Sequence, residues 1–420
     1  MAARVKVALV HEWLITHGGS EEITGQLCAL FPEADLFTLV ADPVPSLAAL
    51  IGPHEIVRDV RQPVTGRRVI VSPLQRIPGA TRAHRRLLPL MPWAIERFDL
   101  TGYDLVISVS HAVAKGVRTP PGVPHLNICC SPVRYAWDLE EQYLEEAGLG
   151  RAVKGLLARA LLARIRTWDR RTADRPTRIL AISEFIRARV HRVWGRESGV
   201  LYPPVETEFF GTEDGRLAPE EEPQQRAPVA DAAAPSERLS VRLPSSVPRL
   251  YLTASRFVPY KRIPLIVEAF KHLPDRDLVV IGDGPEWAKA QAVAGPNVRL
   301  LGHLPRAELR EWLHRADGFV FAAEEDFGIA PVEALAAGTP VLAYGKGGAL
   351  ETVGPGTGVF FDAQTPEAIA EGVGRLEAEI AAGRVTAAGC KEWAQRFGVG
   401  EFRLALLGEV ERVRTWTDDG

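Results

Sequence analysis

One short pattern recurs along this sequence: an apolar run, a polar or glycine-containing loop, and a segment with helical spacing of apolar residues. It begins with VKVALV at 5–10, the loop HEWLITHGGSEE and then ITGQLCALF, where Ile23, Leu27 and Leu30 have helical spacing. Strand, loop and helix in this order open a Rossmann-like unit with a parallel sheet. The pattern therefore predicts an α/β fold.

The pattern occurs in two series, which predicts two domains. DLVISVS, HLNICC and RILAIS belong to the first series, and RLYLTAS, DLVVIGDG, VRLLGH, GFVFAA and PVLAYG belong to the second. Between them, residues 211–248 are rich in Pro, Ala, Glu and Ser and have few large apolar side chains. Such a segment cannot bury enough surface to offset its ordering entropy, so we predict a disordered insertion there.

Four segments follow from this division. We expect an acceptor-side N-terminal domain over 1–205, a linker with the insertion over 206–248, a second domain over 249–395, and a C-terminal helix and tail over 396–420. A chain of 420 residues is also longer than one hydrophobic core usually grows. Two Rossmann-like parallel-sheet domains would face each other across an interdomain cleft at the carboxyl ends of both sheets, where α/β proteins bind ligands.

Charge and cysteine content exclude several classes of protein. The formal net charge of -3 gives no general attraction to nucleic acid. Cys28, Cys129, Cys130 and Cys390 form no CxxC pair, which favours a reducing compartment. The apolar run in MAARVKVALVHEW is too short for a signal peptide, and no run reaches about 18 apolar residues. We expect a cytoplasmic protein that does not span a membrane, although it can lie on the inner face of one.

The stretch EEDFGIAPVE at 324–333 places two carboxylates near the end of a predicted strand. Glu325 follows GFVFAA, whereas Pro331 and Glu333 fit the first turn of the next helix. Glu333 can act as a partner of the helix dipole, and both carboxylates can instead accept hydrogen bonds from the vicinal hydroxyls of a ribose and a hexose. We expect Glu324 and Asp326 to be solvated neighbours.

Two cations and two glycines follow other strands of the second series. In RFVPYKR, Arg256 and Lys261 are either ordinary surface cations or a diphosphate-binding pair. In IGDGPE, Gly282 and Gly284 allow either close approach of a ligand or a tight turn.

Together these motifs resemble family 4 glycosyltransferases of the GT-B fold. In the second half, RFVPYKR, IGDGPE, LGHLP and EEDFGIAPVEALAAGTPVLAYGKGGALETV match the nucleotide-sugar domain of that family. In the first half, HEWL with GGSEE, SHAVAKGV, SPVRYAWD, ISEFIRARV and YPPVE are similar to its bacterial mannosyltransferase branch. The resemblance covers nearly the whole chain except 211–248.

The resemblance implies a role for each matching residue. Glu325 would bind hydroxyls of the donor hexose, Glu333 the ribose, and Arg256 with Lys261 the diphosphate. The remaining residues implied at the donor site are Gly18 and Gly19, which would close over the diphosphate from the first domain, and Gly282, Phe327, Gly328 and Ile329. Cations can stabilise the leaving diphosphate without metal or other cofactor, and Asp275 and Asp277 form no convincing Asp-x-Asp metal site.

His111 follows DLVISVS at the predicted cleft edge. A lone histidine is commonly structural, but the resemblance implies a contact with the donor sugar and a place among the catalytic residues with Glu325, Arg256 and Lys261. Related sequences often have His where this chain has Cys130. Arg134 and Tyr135 are therefore secondary candidates for acceptor-side or sugar-side contacts.

The resemblance predicts transfer of a hexose to a glycan or lipid-linked acceptor with retention of configuration. GDP-mannose is the expected donor, and UDP-glucose or another hexose donor is the alternative. A nucleotide-sugar hydrolase or epimerase would need an activated water or proton relay that the sequence does not reveal. A dehydrogenase is disfavoured because the first loop lacks GxGxxG, and a noncatalytic bilobed sugar-binding protein is disfavoured by Arg256 and Lys261 beside the carboxylates.

Two basic segments of the first domain bear on the acceptor. Residues 76–93 read RIPGATRAHRRLLPLMPW, and residues 151–171 read RAVKGLLARALLARIRTWDRR. The second has an apolar stripe at helical spacing, formed by Val153, Leu156, Leu157, Ala160, Leu161, Ile165 and Trp168. Both segments can be core-packed with a solvated basic face, or can lie on an anionic membrane.

Overall fold

The structure is a computed structural model that describes residues 5–15, 18–42, 45–57, 64, 66–137, 153–212 and 249–415. Nearly all of the predicted disordered insertion lies outside the described residues, as does the side chain of Tyr135.

The first domain contains an eight-stranded parallel sheet in the order β3-β4-β2-β1-β5-β6-β7-β8. Its strands are β1 Val7–Leu14, β2 Asp35–Ala41, β3 His54–Val57, β4 Arg67–Val71, β5 Leu105–Ser110, β6 His125–Cys129, β7 Arg178–Ala181 and β8 Gly199–Val200. Its helices are α1 Gly19–Leu30, α2 Pro45–Ile51, α3 Met91–Ile95, α4 Arg134–Trp137, α5 Val153–Arg171 and α6 Glu184–Trp194. Three short 3-10 turns lie at Pro73–Arg76, His84–Leu87 and Ala114–Gly116.

The second domain contains a six-stranded parallel sheet in the order β11-β10-β9-β12-β13-β14. Its strands are β9 Arg249–Ala254, β10 Arg276–Ile281, β11 Val298–Gly302, β12 Gly318–Phe321, β13 Val341–Tyr344 and β14 Gly358–Phe361. The helices are α7 Thr207–Gly211, α8 Ile263–Ala269, α9 Trp287–Val293, α10 Arg306–Arg315, α11 Ile329–Ala336, α12 Ala349–Thr352, α13 Pro366–Ala381, α14 Ala387–Ala394 and α15 Val399–Thr415. The 3-10 turns are Pro259–Lys261, Phe270–His272 and Gln395–Phe397. The predicted pair of parallel-sheet α/β domains is confirmed.

The central strand β1 illustrates why these runs form a parallel sheet. All eight of its residues are buried, because helices cover both faces of such a sheet. Burial extends to His11 and Glu12, which are fully enclosed. Polar side chains at such positions require partners, and those partners lie at the carboxyl end of the sheet.

The last helix, α15, returns the chain to the first domain. The guanidinium of Arg403 donates to the Gln26 side chain at 2.6 and 2.9 Å, and Arg178 pairs with Glu409 at 2.8 Å. We expected the C-terminal helix and tail over 396–420. A 3-10 turn separates α14 from α15, so the long helix begins at Val399.

The predicted apolar stripe of α5 is partly wrong. Ile165 and Trp168 are buried as expected, but Leu156 is 69% exposed and Leu162 is buried in its place. The buried face of α5 therefore includes a leucine that the predicted stripe omits. Within the described residues, no helix is both long and apolar enough to cross a membrane.

Candidate functional site

Lys261 and Glu325 meet at the carboxyl ends of two neighbouring strands, β9 and β12. Their side chains form a direct ion pair and are only 18% and 14% exposed. Burial and the nearby Arg134 guanidinium lower the pKa of Lys261, and the charge of the Asp326 carboxylate opposes this shift. The structure thus brings together the predicted diphosphate-binding lysine and the predicted hexose-binding carboxylate.

Arg256 lies in the loop that follows β9 and is exposed. Within the described residues we find no hydrogen bond or ion pair of its side chain. A guanidinium in this state is available to an anionic ligand, in keeping with the predicted role.

Gly282 and Gly284 support the Arg256 loop by close packing. Gly282 has φ 126°, and a Cβ there would lie 1.8 Å from the Ser255 carbonyl oxygen. Gly284 has φ 151°, and its Cβ would lie 2.6 Å from the Phe257 oxygen. Of the two roles left open by the sequence, this geometry favours the tight turn.

Gly347 and Gly348 pack closely against the backbone of the Glu325 loop, and we did not predict this contact from the sequence. The Gly348 N–H donates to the Glu325 carbonyl at 2.7 Å. A Cβ at Gly347 would lie 2.5 Å from the same oxygen, and one at Gly348 would lie 2.4 Å from the Phe327 Cα. The pair GG in GKGGALE was the available signal.

Glu333 lies in the second turn of α11, so its predicted place in the first turn was wrong. The helix begins at Ile329, after Gly328 with φ 94°, and Pro331 is its third residue. Glu333 and Glu206 share one cation, because the Arg306 guanidinium lies 3.7 Å from the Glu333 carboxylate and 2.8 Å from that of Glu206. Burial, with a smaller contribution from Glu206, raises the pKa of Glu333 to about 7 against the opposing Arg306.

This shift predicts the pH dependence of a Glu333→Gln variant. An unfolded Glu ionises near pH 4.3, so the folded protein holds the proton more tightly. Ionisation of Glu333 therefore removes stability as the pH rises from about 4.5 to about 7, and the loss is complete above that window. Glutamine is neutral at every pH and does not lose this stability. We therefore expect the melting temperature of the variant, relative to that of wild type, to increase as the pH rises through this range.

Melting curves at about pH 5 and about pH 8 test this expectation. Glu324→Gln is the matched control, because Glu324 is an exposed carboxylate in the loop before α11. A constant difference between Glu333→Gln and wild type at both pH values would contradict a buried carboxyl at this position.

The first domain approaches the same edge through Gly18 and Gly19. Gly18 caps α1 and Gly19 is its first residue. A Cβ on Gly19 would lie 2.9 Å from the Ile329 Cδ1 methyl group of the second domain, so a larger residue here would require the Ile329 side chain to shift. The predicted donor-site residues of the two domains therefore lie against each other.

His111 lies at the end of β5 beside a buried carboxylate that sequence reasoning missed. Its Nδ1 lies 3.2 Å from Glu12 of β1. Burial raises the pKa of Glu12, but the neighbouring His111 and His11 and the backbone N–H groups outweigh this, so the pKa lies below its usual value. The motif HEW was the available signal, because a Glu inside a buried strand needs a partner.

A second carboxylate and histidine pair lies beside this one. Glu21 in the first turn of α1 lies 3.7 Å from His11 Nε2, and Thr24 contacts His11 Nδ1 at 3.2 Å. Burial raises the pKa of Glu21, but hydrogen bonding and charge from His11 lower it to about 2 overall.

Cys130, where the resemblance led us to expect a histidine in relatives, is buried. Its backbone N–H donates to the Ser110 carbonyl at 2.7 Å, beside the loop that carries His111. Burial raises the pKa of its thiol well above the usual range, which makes it a poor nucleophile.

Asp326 joins the two domains, and the prediction of a solvated neighbour was wrong for it. Its carboxylate lies 2.8 Å from Arg189 and 3.3 Å from Arg134, both in the first domain. Its carbonyl accepts a hydrogen bond from Ser183 at 2.5 Å. Only Glu324 is exposed as expected.

Glu351 makes a second bond between the domains, also missed from the sequence. Its two oxygens accept hydrogen bonds from the backbone N–H groups of Glu184 and Phe185, at 2.7 and 2.9 Å. These are unpaired donors of the first turn of α6, so a carboxylate is favourable there. Asp326 and Glu351 together fix the Glu325 loop and α12 against α6.

Across the parts of the chain that the structure describes, no group of three or more His, Cys, Asp or Glu side chains is arranged to hold a metal ion. Asp275 lies just before β10 and Asp277 within it. The expected independence from metal stays a prediction.

Residues 240–382, about a third of the chain, match the family model described as Glycosyl transferases group 1. The D-inositol 3-phosphate glycosyltransferase of Xylanimonas cellulosilytica is 36% identical over 184 residues, which is 41% of this chain and 43% of that protein. The GDP-mannose-dependent alpha-(1-6)-phosphatidylinositol monomannoside mannosyltransferase of Mycolicibacterium smegmatis is 27% identical over 263 residues, 58% of this chain and 64% of that protein. Both alignments span less than two thirds of the relative's own length.

Solved structures match over both domains. Anabaena HepE in complex with UDP has a TM-score of 0.65 at 15% identity and covers 97% of this chain and 100% of its own. Sucrose-phosphate synthase from Thermosynechococcus elongatus has a TM-score of 0.64 at 21% identity and covers 97% of this chain and 98% of its own. The predicted GT-B fold and the resemblance to bacterial glycosyltransferases are confirmed.

Proposed function

We propose, from the match of residues 240–382 to the model of group 1 glycosyl transferases, that this chain transfers a hexose from a nucleoside diphosphate sugar to a glycan or lipid-linked acceptor. The observation that carries the proposal is the contact of Lys261 with Glu325 at the edge where both sheets end. The loop after β9 also carries the exposed Arg256, and the helix after β12 carries the second carboxylate, Glu333. Two carboxylates suit the hydroxyls of a hexose and a ribose, and two cations suit the diphosphate between them.

The reaction breaks the bond between the anomeric carbon and the diphosphate. Negative charge grows on the leaving diphosphate, and Arg256 and Lys261 would stabilise that charge because they are already in place. We propose that no metal is required for this step. The acceptor hydroxyl attacks the anomeric carbon within an ion pair, on the face that the diphosphate leaves, and its proton passes to the departing diphosphate. The anomeric configuration is then retained without a protein nucleophile.

We propose GDP-mannose as the donor, because a relative is named for its dependence on that nucleotide sugar. The rival is a UDP-hexose, since a structure of the same fold was solved with UDP. Thermal shift with GDP, UDP, ADP and their hexose derivatives separates the two. A ligand at 100 times its Kd stabilises the folded state by about 2.7 kcal/mol, so the preferred base gives the largest rise in melting temperature.

A transfer assay completes the test. We expect a glycosylated acceptor with retained configuration by NMR, and a response to GDP above that to UDP. A response to UDP alone would overturn the donor, and an inverted product would overturn retention. Release of free hexose without any acceptor product would point to hydrolysis.

We also propose that the lipid-linked acceptor is reached from an anionic membrane surface. The segment formed by Arg82, Arg85, Arg86, Leu90 and Trp93 supports this: its arginines are exposed, and Leu90 and Trp93 are 46% and 48% exposed. Cations with an aromatic and an aliphatic side chain suit the headgroup region of anionic lipid.

Flotation with vesicles of phosphatidylglycerol tests the membrane proposal. Each cation near such a surface contributes about 1 kcal/mol, so Arg85→Ser with Arg86→Ser should weaken binding roughly 30-fold. Arg299→Ser with Arg315→Ser, which removes two cations from the second domain, is the matched control. Absence of wild-type binding to anionic vesicles at low salt would remove this part of the proposal.

A further inference from the structure

The Glu12 carboxylate organises the loop that carries His111. Its Oε1 accepts hydrogen bonds from the four consecutive backbone N–H groups of residues 111–114, at 2.8 to 3.1 Å, and from the Ser110 hydroxyl at 3.1 Å. Glu12 is completely buried. Convergent donors of this kind are what a buried carboxylate needs in order to stay ionised.

The other oxygen of the same carboxylate faces the His111 ring. Glu12 Oε2 lies 3.2 Å from His111 Nδ1, and the Trp13 ring meets the imidazole edge-on, with 4.6 Å between centroids. These two atoms are close without being aligned as a hydrogen bond. An ionised carboxylate oxygen at this distance repels a bare nitrogen lone pair and attracts an N–H group, so the proton of a neutral ring is favoured on the nitrogen that faces it. A neutral imidazole with a proton on Nδ1 has its free lone pair on Nε2.

We propose that Glu12 is a positioning residue, which holds the His111 imidazole with its proton on Nδ1 and leaves Nε2 as the hydrogen-bond acceptor for a substrate hydroxyl. The part of this inference that concerns substrate rests on the function proposed above. The part that concerns the tautomer rests only on the contacts of Glu12.

A Glu12→Gln variant should invert the tautomer. The four backbone N–H groups require an acceptor, so the amide oxygen of glutamine must take the place of Oε1. The amide NH₂ group then takes the place of Oε2 and donates to His111 Nδ1. A neutral ring that accepts at Nδ1 carries its proton on Nε2.

Nitrogen-15 NMR of the full chain with labelled histidine tests this directly. The spectra are recorded at about pH 9, where an ordinary histidine is neutral, and a His111→Asn variant assigns the signals of His111 among the ten histidines. We expect the Nδ1–H form in wild type and the Nε2–H form in Glu12→Gln. An Nε2–H form in wild type would overturn the proposal, and so would an unchanged tautomer in the variant.

Glu21→Gln is the matched control, because Glu21 is a buried carboxylate that faces His11 at 3.7 Å. The Glu21→Gln variant should leave the His111 tautomer unchanged. A changed tautomer in this variant would show that the effect is not specific to the Glu12 carboxylate. The wild-type spectrum alone still decides the tautomer if Glu12→Gln does not fold.

The spectra need no donor and no transfer, so they separate this inference from the proposed function. If the protein transfers hexose, Glu12→Gln should also lower kcat/KM about tenfold, as loss of one well-placed hydrogen bond would. An inverted tautomer with wild-type kcat/KM would overturn the role of His111 Nε2 toward substrate and leave the assigned tautomer standing.

Discussion

Lys261→Met is expected to lower kcat for hexose transfer by roughly two to three orders of magnitude, the cost typical of losing one preorganised group that stabilises developing charge. The substitution removes the cation expected at the diphosphate and leaves the Glu325 carboxylate, 14% exposed, without its ion-pair partner. Initial rates over a range of donor concentrations measure the effect. The loss should fall mainly on kcat, because the charge on the diphosphate grows only as the glycosidic bond breaks.

Two further variants decide how this result is interpreted. Lys289→Met is the matched control, since the exposed Lys289 pairs with Glu286 at 2.8 Å in the same domain and the variant should keep the wild-type rate. Glu325→Ala should lose most transfer as well, without unfolding the protein. Wild-type turnover in either Lys261→Met or Glu325→Ala would refute the assigned roles.

The place of Lys261 and Glu325 at one sheet edge could be predicted from sequence for a simple reason, whereas their direct ion pair could not. Both residues follow strands of one parallel sheet, and the carboxyl ends of such strands share an edge. Sheet order then makes β9 and β12 neighbours. Identifying the strands was enough to expect the side chains at one edge, even without a basic residue close to Glu325 in sequence.

The residue at which α11 begins was harder to predict. Pro331 suggested a helix start, and Glu333 was expected in the first turn. Gly328 adopts φ 94° and starts the helix two residues before the proline, because glycine reaches that conformation without strain. Proline remains compatible with the first turn as its third residue, so its position alone did not define the boundary.

Contacts between the domains could not be predicted from the sequence. Asp326 is separated from Arg189 by 137 residues, and Glu351 from Phe185 by 166. No strand register relates these residues, because they belong to different sheets. Their meeting depends on how one domain lies on the other, which neither apolar spacing nor turn chemistry determines.

Asp326→Asn is expected to weaken the contact between the two domains and slow transfer. The change leaves Arg189, 9% exposed in its side chain, without the carboxylate at 2.8 Å. Removing one member of a buried pair costs about 3 to 5 kcal/mol, and less where the pair is partly exposed. We therefore expect a lower urea midpoint, and a roughly tenfold fall in kcat because the Glu325 loop loses its attachment to α6.

A charge exchange separates this effect from a general loss of stability. Arg189→Asp combined with Asp326→Arg restores an opposite-charge pair, so the double variant should recover part of both the midpoint and the rate lost by either single variant. Glu324→Gln, two residues away and exposed, should change neither. Recovery of the midpoint without recovery of the rate would mean that the pair only stabilises the fold. Wild-type behaviour of Asp326→Asn would mean that Ser183 and Glu351 suffice to hold the domains together.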